Sequence, residues 1–436
     1  MLRLPLRPPL RQPLRDAFLR AGNISQAIRA LFATGQQGAW YDPSDFNSLF
    51  QDSAGVTPVT AVEQPVGLMR DKSGRNNHAT QATAASRPVV SARVNTLLNS
   101  QWSGGGATPT SWANESATGT SVPNGTVDGN TIYRFTQVAQ RFIFNQAGPA
   151  LGTSGSLTAS VRVGAIYSGS TSCASAITWI NTPIGSGTQY FINGVAAAGT
   201  DLVLANSVVS VVLTSGGTAG TTALRVGSGC IGPATVDFDL SRPQIELGTT
   251  ATRYQRVNTA SDYDTAGFPM YDRLDGVDDS MSSATGGGGT AGFFFCQAIK
   301  RTGGGAVTRT IFSDSGTNSG YRVELNATHQ LSFSAGNGTA YTTIAAATAT
   351  TVGPTHLLTV WDDGTNLNAQ LDSGAVATIA RPVVTAGTAG FTIGKDNGAA
   401  TGFFTGNMYP EVYRQTSLTA AERSQVQAYV RSKAGL

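Results

Sequence analysis

Along most of the chain, apolar residues alternate with polar ones. Leu157, Ala159, Val161 and Val163 alternate with Thr158, Ser160 and Arg162, and Val236, Phe238 and Leu240 with Asp237 and Asp239. Tyr321, Val323 and Leu325 repeat the pattern, as do Leu367, Ala369 and Leu371. A period of two puts one face of an extended segment in a core, so these stretches predict half-buried strands. Between them lie Asn193-Gly194, Asn337-Gly338, Asp363-Gly364 and Asn397-Gly398, pairs suited to tight hairpin turns. Short strands joined by such turns predict a mainly β chain of antiparallel sandwiches or barrels.

The helical period appears only at the two ends. Leu14, Phe18, Ala21, Ile24, Ile28, Leu31 and Phe32 recur in steps of three and four, which predicts an apolar helical face over 14–33, ended by Gly35 and Gly38. Gly22 and Asn23 weaken its middle and divide it into two short helices in the alternative reading. The stripe either covers a domain of its own chain or packs against other copies. At the C-terminus, Leu418 to Arg423 opens a second helix, with Val426, Tyr429 and Val430 on one face. Thr419 followed by Glu422 is a capping-box pattern, with Ser417 as the other candidate cap.

Composition narrows the class of protein. Charged residues are only 13% of the chain and 52 glycines are present, which describes a neutral, turn-rich surface. No apolar run reaches the ~18 residues that would span a bilayer, so no membrane partner is expected. Cys173, Cys230 and Cys296 are too few and too scattered for a disulfide framework or a zinc site. Net charge is +3, too balanced for a nucleic-acid partner over the whole chain. The imbalance is local: residues 1–33 hold six arginines against one acid, Asp16. Arginine or proline interrupts the opening segment every few residues, so it reads neither as a signal peptide nor as a helical transit peptide. It is either a disordered basic tail or an extended arm that docks on a partner. In the docking reading Arg3, Arg7, Arg11 and Arg15 recur every four residues as anchors, with leucines between them.

The catalytic signatures are missing. His78, His329 and His356 are well separated and form no metal-ligand spacing, and no nucleophile elbow or phosphate-binding loop occurs. The six glutamates form no glycosidase pair in sequence. Asp272, Asp275, Asp278 and Asp279 cluster, which reads first as turn chemistry and second as a calcium site; one short segment cannot supply the six to eight oxygens calcium takes. No catalytic site, no cofactor and no metal are expected. Of the five tryptophans, Trp179 and Trp361 sit beside strand residues and read as core. Trp102 and Trp112 stand among Gly, Thr, Ser and Asn and are the candidate exposed rings for glycan binding.

Three segments carry a family resemblance. The first runs from Trp40-Tyr41-Asp42 through Asp71-Lys72-Ser73-Gly74 and His78 to Arg87-Pro88. The second is Leu274-Asp275-Gly276-Val277-Asp278-Asp279. The third is Gly406-Asn407-Met408-Tyr409-Pro410-Glu411-Val412-Tyr413 with the terminal helix. Together they resemble the concanavalin A-like (laminin G-like) jelly-roll domains of tailed-bacteriophage virion proteins, with Leu274 where that family usually has Phe. About 185 residues separate the first two pieces, which the family keeps adjacent. The intervening stretch, from Asn95-Thr96-Leu97 to Pro243-Gln244-Ile245 and Thr252-Arg253-Tyr254, resembles an inserted jelly roll of the carbohydrate-binding-module type. The expected organisation is an arm and helix at 1–37, one sandwich from 38–92 plus 258–436, and a second sandwich at 93–257. The resemblance implies a structural virion protein, a tail fibre or tail-tip appendage that attaches to a host-surface glycan. The alternatives are a head or collar fibre, a capsid decoration protein, or a glycan-degrading virion enzyme. It also implies a homotrimer, bound through its arm to other virion proteins.

Overall fold

The computed structural model describes residues 24–436 except 105, 116–119, 138–142, 152–154, 168–172, 175–177, 182–186, 218, 228–235, 304 and 398–400. Among the described residues the strands form four sheets, and every strand pair is antiparallel. The chain is mainly β, with a short helix at 24–30 and a helix at Ala420–Ala434.

An eight-stranded sheet is built on Phe293–Arg301 and Thr405–Arg414, with Thr355–Asp362, Asn366–Leu371 and Ala377–Ala380 on one side and Tyr271–Asp275 and Val89–Ser91 on the other. Gly38–Tyr41 also pairs with Thr405–Arg414. A nine-stranded sheet faces it, running from Leu49–Phe50 through Met281–Ser283 and Phe391–Ile393 to Tyr341–Ala349. The alternating residues Tyr321, Val323, Leu325, Leu367 and Ala369 are fully buried between these sheets with Phe293, Phe312, Phe333 and Tyr413. The strands of this sandwich come from both ends of the chain: Val89–Ser91 pairs with Tyr271–Asp275 through Tyr271↔Ser91.

The strands of a second sandwich lie between residues 113 and 247. A seven-stranded sheet centred on Ser156–Ile166 and Val236–Leu247 faces a four-stranded sheet, and Leu157, Ala159, Val161, Val163, Phe238 and Leu240 fill the space between them. Ser156–Ile166 departs from the half-buried expectation, because Thr158 and Ser160 are buried too. The chain beyond Leu247 crosses their face, and the Thr158 hydroxyl donates to the Gly248 carbonyl at 2.8 Å.

The turns follow local chemistry. Asn193 and Gly194 both have positive φ in a two-residue hairpin that closes on Ile192↔Val195. Asp128-Gly129 does the same between Thr120–Val127 and Asn130–Gln137, a turn of the same type. Gly364 and Gly338 take positive φ in longer loops, and Gly398 lies outside the described residues.

The C-terminal helix lies on the outer face of the eight-stranded sheet. The capping box forms as expected: Thr419 Oγ1 accepts the Glu422 N–H, and the Glu422 carboxylate accepts the Thr419 N–H at 2.8 Å. Gly435 ends the helix in the left-handed region. Val426, Tyr429 and Val430 pack with Trp361, Phe294 and Trp40, and Ile28, Leu31 and Phe32 of the N-terminal segment join the same cluster. The C-terminal half of the apolar stripe therefore covers its own chain rather than a neighbour. Residues 14–23, like the arm and its Arg3, Arg7, Arg11 and Arg15, lie outside the described residues. Cys173 is engaged in a disulfide while Cys296 is free and buried.

Candidate functional site

Trp102 and Trp112 do not present ring faces to solvent. Trp102 is 0% exposed and Trp112 is 7% exposed. The Trp102 ring meets Trp112, Tyr133 and Phe144 edge-on, with centroids 5.6–5.7 Å apart. Trp102 itself has φ 56° and Ser111 φ 68°. These left-handed residues turn both indoles inward out of a polar loop. Asn99 fixes that loop: its Nδ2 donates to the Ser103 and Thr110 carbonyls, its Oδ1 accepts the Ser103 N–H at 2.8 Å, and its carbonyl accepts the Trp112 indole N–H. The glycan-platform reading of both residues is corrected: they form the aromatic centre of the second core.

The motif residues that carry the resemblance hold the first sandwich together. The Trp40 indole N–H donates to Tyr429 Oη at 3.0 Å, and Tyr429 Oη donates to Asp42 at 2.8 Å. Lys433 and Lys72 reach the same Asp42 oxygen at 3.1 and 3.5 Å. Burial by itself pushes the Asp42 carboxyl up, but Lys433, Lys72 and the Ser44 and Tyr429 hydroxyls together hold it below the ordinary carboxylate range. Asp71 accepts the backbone N–H groups of Trp40, Ser73 and Asn77, and His78 Nδ1 accepts that of Asp71. Trp361 is buried beneath the Arg423 guanidinium. The side chain of Trp179 lies outside the described residues.

The acidic cluster divides. Asp275, Asp278 and Asp279 bring carboxylate oxygens within 4.8 Å of one another. They are engaged in the turn: Asp275 accepts the Val277 N–H at 2.8 Å, Asp279 that of Asp275 at 3.0 Å, and Asp278 the Ser86 hydroxyl at 2.8 Å. Asp272 points away from them, into the first sandwich, where burial pushes its carboxyl up to about 7.

Two grooves flank Arg253. The larger, about 970 Å³, runs along the junction of the sandwiches, between Gly248–Arg253, Thr265–Tyr271 and the end of the C-terminal helix. The smaller, about 460 Å³, lies on the outer face of the seven-stranded sheet and is lined by Asp128, Asn130, Arg162, Arg242, Arg253 and Tyr254. The junction beneath them is firmly bonded. Gln255 Oε1 accepts the Val94 and Asn95 N–H groups at 2.7 and 3.0 Å, and its Nε2 donates to the Ala92 carbonyl at 2.8 Å. Lys300 from the first sandwich donates to the Leu247 carbonyl of the second at 3.0 Å; burial pulls its ammonium below the ordinary lysine range, against the nearby Glu246.

The groove side chains are preset. Arg253 stacks over Phe268, with its guanidinium carbon 4.8 Å from the ring centroid, and donates to the Ala266 carbonyl. Arg242 pairs with Asp128 and lies near the Tyr254 ring, whose hydroxyl donates to Asn130 at 2.9 Å. Glu246 is buried, and its oxygens accept the Thr252 N–H, the Thr252 hydroxyl and the Gln244 amide. Arg256 holds Asp262 and Asp264 at the rim. No groove residue stands out in the sequence as a binding residue by its type. The available signal was the segment Thr252-Arg253-Tyr254 at the end of the second sandwich, whose arginine stands between the grooves.

The strands and cores define an antiparallel β-sandwich protein. No family model and no curated protein matches the chain. Among solved structures it is similar to a native heptameric SAP-like pentraxin from Limulus polyphemus, with a TM-score of 0.26 and 15% identity, covering 35% of this chain and 75% of that one. It is also similar to domains LG4-5 of the mouse laminin alpha1 chain, with a TM-score of 0.29 and 11% identity, covering 65% of this chain and 90% of that one. The sandwich architecture rests on the strand pairings and cores described above.

Proposed function

We propose that this chain is a non-enzymatic attachment protein of a tailed-phage particle. It binds a host-surface glycan in the grooves beside Arg253, and its N-terminal arm binds other particle proteins. The observation that supports glycan binding is the groove pair itself. Its volumes suit small ligands. Arg253, Arg242 and Asp128 offer planar donors and acceptors matched to sugar hydroxyls, beside the rings of Tyr254 and Phe268. The absence of catalysis is supported by the engagement of the groove carboxylates: Glu246 with Thr252, Asp128 with Arg242 and Asp264 with Arg256. The phage assignment rests on the ordered motif segments and on the arginine–leucine pattern of residues 1–15. A tail position leads over a head or collar position on the resemblance alone. The homotrimer stands on the same resemblance, since Ile28, Leu31 and Phe32 are occupied within the chain.

Calorimetric titration with fragments of host-surface polysaccharide tests the binding site. Arg253→Ala and Arg242→Ala should each weaken binding about ten-fold, a difference of about 1.4 kcal/mol, with the melting temperature little changed. Equal affinity for wild type and variants rejects the grooves as the site. Deletion of residues 2–13 should leave glycan affinity intact and abolish incorporation into particles; incorporation at normal occupancy rejects the arm as anchor. Light scattering of the intact chain reads the trimer, and a stable monomer rejects it.

A further inference from the structure

The strand Thr405–Arg414 has a break in its pairing. Against Phe293–Arg301 the register shifts between Gln297 and Ile299, which face Glu411 and Met408. On its other side, Gly38–Tyr41 pairs with residues 411–414 and Tyr271–Asp275 with residues 405–408. Tyr409 and Pro410 therefore bulge, and Pro410 has no N–H to contribute to a ladder. Bulges re-aim side chains, and this one gathers Asp272, Gln297 and Glu411 from three adjacent strands.

These three side chains line one cavity of about 20 Å³ between the two sheets, with Met69, Met281 and Ile393 opposite. Their exposures are 5%, 2% and 2%. Gln297 Nε2 donates to the Tyr409 carbonyl at 3.2 Å. Its Oε1 has no partner, and neither do Asp272 Oδ1 or the two Glu411 oxygens. The nearby Tyr41 hydroxyl is already donated to the Asn77 carbonyl. Four acceptor oxygens thus share an apolar interior with no donor among the described residues to satisfy them. Leaving one such group unpaired is costly, and leaving two carboxylates unpaired more so.

We propose that Asp272, Gln297 and Glu411 hold one hard divalent cation of the calcium class between the sheets of the first sandwich. The donor set is all oxygen, which suits calcium or magnesium and not zinc, a metal of nitrogen and sulfur ligands. Two carboxylates balance a charge of two. Magnesium keeps several of its waters, and a cavity of this size holds one or two, since a water needs about 10–15 Å³. Calcium takes the place of one such water and leaves room for one more beside the four side-chain oxygens, a shell of five that bidentate binding by Asp272 brings to six, the lower end of its coordination range. The amide of Gln297 is the independent pointer: it is a neutral, buried oxygen aimed at the same space as the acids. This site is separate from Asp275, Asp278 and Asp279, whose oxygens are engaged by the turn. The ion joins the three strands at the bulge, where ladder hydrogen bonds are interrupted.

The test uses the full chain, stripped with chelator and dialysed against calcium chloride at pH 8. Native mass spectrometry should find one calcium retained by the wild type and by Asp278→Asn, and none by the double variant Asp272→Asn, Glu411→Gln. Calcium should raise the wild-type melting temperature by roughly 5 °C at a hundred-fold excess over its dissociation constant and leave the double variant unmoved. A wild type that retains no calcium and melts alike in calcium and in chelator overturns the proposal. So does calcium retention by a folded double variant. If the double variant does not fold, the wild-type stoichiometry and melting shift decide alone.

Discussion

Trp102→Ala should lower the stability of the second sandwich by about 3–5 kcal/mol, the range for deleting a large buried aromatic side chain. The ring is fully buried and touches four other aromatic rings, so truncation opens a cavity at the centre of the core. The left-handed backbone at residue 102 disfavours alanine as it does tryptophan, so the substitution relieves no strain and the loss is one of packing. Urea unfolding should show the transition of this sandwich moved to lower denaturant. The same variant separates core from binding site: a Trp102→Ala protein as stable as wild type but deficient in glycan binding would return the ring to the surface and contradict the geometry above.

Asp42→Asn should cost about 3 kcal/mol, the lower end of the range for removing one partner of a buried ion pair, because Lys72 and Lys433 stay partly solvated. Asp42 receives Lys72 from its own end of the chain and Lys433 and Tyr429 from the C-terminal helix, so the loss loosens the helix from the sheet. The pH dependence follows from the direction of the shift. The Asp42 carboxyl titrates lower in the folded chain than in the unfolded one. Its contribution is therefore complete above the unfolded carboxylate range, near 4, and disappears as the pH falls through and below it. Denaturant midpoints measured from pH 7 downward should show a steep acid limb in the wild type and a shallower one in Asp42→Asn. Parallel limbs would mean that other carboxyls carry the acid sensitivity.

What the sequence made legible was local. A period of two marks the strands around Leu157 and Tyr321 because one face of each meets a core, and Thr419 with Glu422 announces a helix start through bonds three residues apart. Asn193-Gly194 gives a hairpin because both residues accept positive φ. The candidate sites failed where long-range geometry decides. Trp102 sits among polar and small residues, which reads as surface, but two left-handed turns send its ring inward, and such turns have no apolar period. Glu411 and Asp272 sit on strands whose neighbours are apolar, and nothing local tells an inward carboxylate from an outward one at a bulge. The grooves beside Arg253 exist only because residues 248–271 cross from one sandwich to the other, a relation no window of sequence contains.

The interleaving of the two sandwiches also sets an order of events during synthesis. Every strand of the second sandwich finds its partners between residues 113 and 247, whereas Tyr41 waits for Glu411, 370 residues later. At about 5–20 residues per second that wait is roughly 20–70 s. The middle of the chain is thus complete on the ribosome while Gly38–Tyr41 still lacks its strand partner. Gln255 then ties Ala92, Val94 and Asn95 to the far side of the finished unit, which brings Ser91 beside the position Tyr271 will take. The nascent chain carries its own assembly jig: the part made second folds first and presents one half of the outer sandwich to the other as it emerges.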